Sequence, residues 1–331
     1  MAKHIRSASF LAALTTGALA LLAGCGSGSA SDSGSSTADA GVTAVKVGTS
    51  PTLTNASLYL AMENGTFKKH KLKATPQVVT SGAQALPLLL NGQIQFTAAD
   101  PMGAIKALKE KMPIKIIGQG SVNTDDPAKD STVLVVGDDK LKAPKDLSGK
   151  TVAVNALGGL AQVAAQSAID MKGGKSSDVK FVEMSFPQMI AAVQSGKVDG
   201  AVLNEPFVSQ ARSEGLKDLM PVMSTSIPTV PNIVYLTSES YAKSHPEVVK
   251  EFANSLDAAN AALSTDPEKI RQVAEKSTET KPDVLAKIIL PTFPAKSLDQ
   301  QPLQNLQELM VKYDILDAPI DLAPHFLAAS S

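Results

Sequence analysis

The chain has 331 residues, with 31 Lys and Arg against 32 Asp and Glu, 4% aromatic residues, no Trp and one Cys. A length of this order supports about two domains with cores of their own, and a charge balance near zero does not advertise binding to nucleic acid or anionic lipid. One cysteine excludes an intrachain disulfide, so stability rests on packing, and the lack of Trp argues against a sugar cleft lined with stacked indoles.

The first element in chain order is a leader. A basic start, Lys3, His4 and Arg6, precedes an uncharged run from Ala8 to Ala23, the pattern of a secretory signal peptide. Its apolar core is short for a membrane span, which needs ~20 residues. Leu22-Ala23-Gly24-Cys25 resembles the signal of a bacterial lipoprotein. That resemblance implies removal of residues 1–24 and a lipid on the sulfur of Cys25, the new N-terminus; the plain alternative is a secreted protein with one buried free thiol. Removal takes away Lys3 and Arg6 and no acid, leaving 307 residues with 29 basic and 32 acidic side chains. Gly26 to Gly41 contains only Ser, Gly, Ala, Asp and Thr, a composition that buries no core. Residues 25–41 therefore read as a flexible tether that wanders on the order of 20–25 Å.

From Val42 short β-branched runs alternate with amphipathic stretches, which predicts an α/β fold of sheets layered with helices. In order these are a strand at Val45–Gly48, a helix at Ala56–Glu63 stopped by Asn64-Gly65, a strand end at Val78–Thr80 and a helix at Ala83–Leu90. A strand at Ile94–Ala98, a helix at Pro101–Lys111 and a strand at Ile114–Ile117 follow. The polar stretch Ser121–Ser131 breaks the rhythm before Val133–Val136, the strand Thr151–Asn155, the helix Leu160–Met171 closed by Gly173-Gly174, and the strand Val179–Glu183. Then come a helix at Pro187–Gln194, a strand at Gly200–Leu203 and a helix at Pro206–Ser213. Beyond Pro246 the spacing of Val248, Val249, Phe252, Leu256, Ala259 and Leu263 is helical, with later segments opening near Asp266-Pro267, Pro282 and Ser297, and this last third reads as packing. Asn91-Gly92-Gln93-Ile94 leading to Asp100-Pro101 is echoed by Ser195-Gly196-Lys197-Val198 leading to Asn204-Glu205-Pro206, a short match that suggests two similarly built lobes.

In open α/β sheets ligands sit beyond the carboxyl ends of strands, where helices present unpaired N–H groups. Those junctions are Thr49 to Asn55, with Ser50, Thr52 and Asn55; Ser81-Gly82-Ala83-Gln84; Asp100; Asn155 to Gly159; Ser185 to Gln188; and Asn204-Glu205. Each has a plain reading as a helix N-cap worth ~1 kcal/mol. Gly158-Gly159 would let backbone donors approach an anion closely, or form a tight turn. Asp100 and Glu205 would repel a bare anion and favour an amine, although Glu205 could simply complement a helix dipole. Beyond the leader the only arginines are Arg212 and Arg271, neither at a junction, so no bidentate clamp for phosphate or carboxylate is apparent.

Signals for catalysis are weak. Ser148-Gly149-Lys150-Thr151 has Pro144 where a P-loop needs glycine, and a strand follows where a helix is required. His70, His245 and His325 lack an i+4 partner and look like solvated loop histidines, so neither a metal site nor a catalytic triad is expected.

Four stretches resemble the lipid-anchored solute-binding proteins of bacterial ABC importers, in the nitrate, sulfonate and taurine (NMT1/THI5-like) branch. They are Tyr59-Leu60-Ala61-Met62-Glu63-Asn64-Gly65-Thr66-Phe67, Ser81 to Leu86, Asp146 to Val154, and Ala191 to Gly200 with Glu205-Pro206. The resemblance implies a two-lobed type II periplasmic-binding-protein fold. Its lobe 1 would be built from 42–136 and 232–331 and its lobe 2 from 137–231, joined by extended crossovers near Val133–Gly137 and Asn232–Leu236. It implies a cofactor-free, non-enzymatic, monomeric binder on the outer face of the cytoplasmic membrane that delivers solute to an ABC permease and its ATPase subunits. Ser81-Gly82, Asn155 to Gly159 and Asn204-Glu205 carry over as site positions. A small sulfonate or aminosulfonate such as taurine is the favoured solute. A heteroaromatic vitamin precursor stacked on Phe186 or Phe207 is the alternative, and a pyrimidine-synthesising enzyme of the same fold is the rival from another class.

Overall fold

The computed structural model describes residues 41–79, 82–278 and 282–327. The expectations for residues 1–24, the lipidated Cys25, the tether to residue 40, and Ser81 lie outside the described residues.

Among the described residues ten strands form two five-stranded sheets. They are β1 (Thr43–Thr49), β2 (Leu72–Val78), β3 (Phe96–Ala99), β4 (Ile114–Gln119), β5 (Thr132–Val136), β6 (Thr151–Val154), β7 (Lys180–Glu183), β8 (Gly200–Asn204), β9 (Lys217–Pro221) and β10 (Val234–Ser238). The first sheet has the order β2-β1-β3-β10-β4 and the second β7-β6-β8-β5-β9. In each sheet three strands pair in parallel, and one strand that arrives from the other lobe, β10 or β5, runs antiparallel to both its neighbours.

The sequence echo is a repeat down to single hydrogen bonds. Gly92 and Gly196 end the helices Gly82–Leu90 and Phe186–Gln194 with φ of 71° and 70°, a conformation glycine adopts without a Cβ penalty. Just before β3, Gln95 donates its N–H to Lys46 O (3.0 Å) and accepts from Lys46 N through Oε1 (2.8 Å). Just before β8, Asp199 donates its N–H to Thr151 O (2.8 Å) and accepts from Thr151 N through Oδ2 (2.8 Å).

The hinge lies elsewhere than expected. Val133–Gly137 and Asn232–Leu236 largely fall in β5 and β10, fully buried sheet members, so β5 belongs to the second sheet and the boundary at 136/137 is corrected. A run of β-branched residues is as compatible with a buried strand as with an extended crossing. The chain passes between lobes at 120–131 and 227–233, where the two passages pair antiparallel: Gly120 N to Ile233 O (2.9 Å), Asn232 N to Ser121 O (2.8 Å) and Asn123 N to Val230 O (2.9 Å). A Cβ on Gly120 would lie 2.8 Å from Thr54 O, so glycine is what lets the hinge pass against the loop after β1. Buried Asp130 anchors the second lobe's end of one passage, accepting from Thr132 N, Ser224 N and Ser224 Oγ at 2.7–2.9 Å.

Most of β2 and all of β9 were missed as strands. Both are edge strands, largely exposed and each carrying a proline, so neither shows the alternation that marks a half-buried strand. The helical C-terminal part is not confined to the first lobe. Helix Pro246–Thr265 packs on β4, whereas helix Gln301–Lys312 touches both Pro101–Lys109 of the first lobe and Leu160–Met171 of the second. Through Leu303, Leu306 and Met310, fully buried on this helix, one apolar core runs from the first lobe into the second.

Candidate functional site

The parallel strands of both sheets point their carboxyl ends at one another across a cavity of about 560 Å³. Because β5 and β10 run antiparallel, their amino ends reach the same edge and contribute Ser131, Thr132 and Asn232. Asp100, Asn155, Gly158, Gly159, Asn204 and Glu205, each expected at a strand-to-helix junction, line this cavity.

The loop after β1 turns out differently. Asn55 is fully buried, donates to Ser50 O (3.2 Å) and Thr52 Oγ1 (3.1 Å), and accepts from Tyr235 OH (3.2 Å). Ser50, Thr52 and Asn55 thus knit the loop, and Leu53 and Thr54 are the residues on the cavity wall. Gly82 is the first residue of helix Gly82–Leu90.

Asp100 caps helix Pro101–Lys109, its Oδ1 accepting from Gly103 N at 2.9 Å. Protein crowds it although it opens to solvent in the cleft. This desolvation raises its carboxyl above the ordinary value, against the pull of the Gly103 and Met102 amides and of Lys106. Lys106 also lines the cavity, and its ammonium makes no hydrogen bond or close ion pair among the described residues. The helix is buried at every position from Pro101 to Leu108 except Gly103 and Lys106. That i, i+3 pair is the signal that could have found the lysine, since these two positions share the face that Asp100 caps.

Across the cavity, helix Leu160–Met171 starts after Gly159, with Gly158 in the left-handed region at φ 67°. The two glycine amides are used internally, Gly158 N by Gln162 Oε1 (2.8 Å) and Gly159 N by Ala156 O (3.3 Å). The donors left facing the cavity are those of the first helical turn at Leu160 and Ala161, unpaired by helix geometry. Beside them Asn204 Oδ1 is buried without a partner, a lone acceptor that a donor on a ligand would satisfy.

Glu205 is occupied: Oε1 accepts from Ser209 Oγ (2.9 Å) and Ile289 N (3.3 Å), and Oε2 from Ser209 N (3.1 Å). Ile288, Ile289 and Pro291 supply a third wall, so the last third of the chain does more than pack. Phe186 and Phe207 stack on each other at 5.2 Å, against the second lobe's core and away from the cavity lining, which removes the platform expected for a heteroaromatic ring.

The other discounted signals resolve simply. Thr151–Val154 is a strand and Lys150 pairs with Asp199 at 3.1 Å. The histidines are not all solvated: His70 pairs with Glu251, His245 stacks on Tyr241, and His325 Nδ1 is buried. Among the described residues no group of three His, Cys, Asp or Glu could hold a metal, and no helix is long and apolar enough to cross a membrane.

Two lobes on a double-stranded hinge around a polar cleft define the periplasmic-binding-protein fold. Solved structures of similar fold include the periplasmic aliphatic sulphonate binding protein SsuA from Escherichia coli, with TM-score 0.69, 20% identity, and coverage of 85% of this chain and 96% of that one. Another is the alkanesulfonate-binding protein SsuA from Xanthomonas axonopodis pv. citri bound to MOPS, with TM-score 0.65, 20% identity, and coverage of 86% and 98%. The family model described as NMT1/THI5 like matches residues 53–270, and the chain belongs to that family. A taurine-binding periplasmic protein of Escherichia coli strain K12 is 30% identical over 213 residues, 62% of this chain. The match spans 64% of that relative, a little under two thirds of its length.

Proposed function

We propose that this chain is the extracytoplasmic solute-binding component of an ABC importer, that it takes a small sulfonate or aminosulfonate of the taurine kind, and that it hands it on chemically unchanged. The observation that carries the reading is Lys106, whose ammonium makes no close ion pair among the described residues, facing across one cleft the amino end of helix Leu160–Met171. A cation and a row of amide donors are what a sulfonate's three oxygens require, and Asp100 with Asn204 Oδ1 would receive an ammonium group. Hinge closure would bury these groups on the solute, and a permease with its ATPase subunits would read the closed form. Closure is driven only by the solute's better affinity for that form. A lipid on Cys25 and the polar segment after it would hold a monomer close to that partner at the outer face of the membrane. The names of the relatives and the fold of their structures support this solute class.

A thermal-shift series with taurine, ethanesulfonate, nitrate and an aminopyrimidine tests the reading. A sulfonate at a hundredfold its Kd should stabilise the protein by about 2.7 kcal/mol. Stabilisation by the aminopyrimidine alone would replace the sulfonate reading.

A further inference from the structure

Glu205 has the sequence position of a ligand residue and the bonding of something else. Both carboxylate oxygens already accept hydrogen bonds, two of them from Ser209 in the same lobe. Its own N–H is held at 2.9 Å by the carbonyl of Ser131, the residue just before β5. The third donor, Ile289 N at 3.3 Å, comes from a segment that rides with the first lobe. Leu285 and Ile288 are buried with Ala274 and against Leu53, and Ala274 lies on helix Glu268–Ser277, which packs on Ala56–Glu63. The same segment is tied to the hinge by Val122 N to Thr292 O at 2.9 Å.

Resting on the reading of the cleft as a solute site, we infer that Glu205 is an interlobe latch. Its carboxylate, fixed in the second lobe by Ser209, captures the Ile289 amide of the first lobe and so holds Ile288–Pro291 across the cavity as its outer wall. Glu205 is a positioning residue. It acts on every solute alike, because it fixes the wall and touches no ligand group. A carboxylate serves well here because one oxygen can bond Ser209 while still accepting from a backbone N–H, and a charged acceptor strengthens both bonds.

The test uses the full chain with Cys25→Ser and spin labels at Lys73→Cys and Lys180→Cys, exposed positions on the outer strands β2 and β7 of the two sheets. The distance between labels is measured without solute and with saturating taurine or ethanesulfonate. Glu205→Ala should lengthen the solute-free distance and weaken both sulfonates equally, by about tenfold, the weight of one hydrogen bond to a charged acceptor. Ile289→Pro removes the donor N–H while keeping Glu205 and should reproduce both effects, which keeps the test open if Glu205→Ala does not fold. Ile289→Ala, which keeps the N–H, controls for the lost side chain and should leave the solute-free distance unchanged. Glu205→Gln keeps one acceptor oxygen but loses the charge and turns an NH2 donor toward Ser209, so it should fall between Glu205→Ala and wild type. Unchanged distances in Glu205→Ala and Ile289→Pro would overturn the latch, as would a loss confined to taurine, which would return Glu205 to the ammonium group. The solute-free distances stand even if no sulfonate binds, so failure of the solute assignment is separable from failure of the latch.

Discussion

Asp100 caps the helix that carries Lys106, and the two line one cavity with opposite charge. The Asp100 carboxyl is raised by desolvation, so it holds its proton more tightly in the folded chain than in the unfolded one. Its contribution to stability therefore falls as pH climbs from the ordinary carboxyl value through the raised one. The same titration gives two ligands opposite slopes. Protonating Asp100 removes a repelled negative charge, so ethanesulfonate should bind more tightly as pH falls through the raised pKa. Taurine loses its ammonium partner there and should bind more weakly. Asp100→Asn should flatten both profiles, with Kd against pH as the readout. Asp100, Asn155 and Asn204 were legible because a strand's carboxyl end is a position a sequence marks. Lys106 was not, because a lysine on an amphipathic helix looks like an ordinary solvated face until the rest of the helix is seen to be buried. The bonding of Glu205 was equally hidden, since its partner Ile289 lies 84 residues away in sequence.

At the scale of elements, the amino end of helix Leu160–Met171 is aimed by the turn at Gly158. That glycine has φ of 67°, and a Cβ there would sit 3.3 Å from Ile315 Cδ1 of the C-terminal segment. Gly158→Ala should lower the unfolding free energy by about 1–2 kcal/mol, the cost of a left-handed residue bearing a Cβ. It should also weaken sulfonate binding, because the first-turn amides shift with the turn. Denaturant unfolding and titration of the same preparation check both, and an alanine variant equal to wild type in each would show that the turn sets nothing. Helices such as Ala56–Glu63 and Leu160–Met171 were legible to the residue, since their caps and stops are local. The echo around Gly92 and Gly196 was legible for the same reason. The hinge was not: whether Val133–Val136 crosses between lobes or pairs inside a sheet depends on β8 and β9, far along the chain.

Within residues 41–331 the two lobes are joined on the side away from the cavity. Helix Gln301–Lys312 carries a continuous apolar core between the lobes. Just past it Tyr313 OH donates to Asp170 at 2.8 Å in the second lobe, and Asp317 pairs with Lys109 at 2.9 Å in the first. These anchors lie at the carboxyl ends of the two helices whose amino ends flank the cavity, so a pivot over the cleft would leave the far side joined. On the proposed function, a solute that draws Lys106 toward the Leu160 turn would close the cleft about that joined side. Titration calorimetry with ethanesulfonate and taurine on the wild-type chain and on Lys106→Met tests this account most directly. One-site binding in the wild type, weakened at least about tenfold by loss of the cation, is the expected result. No binding of either sulfonate to the wild type, or equal affinity in Lys106→Met, would contradict it.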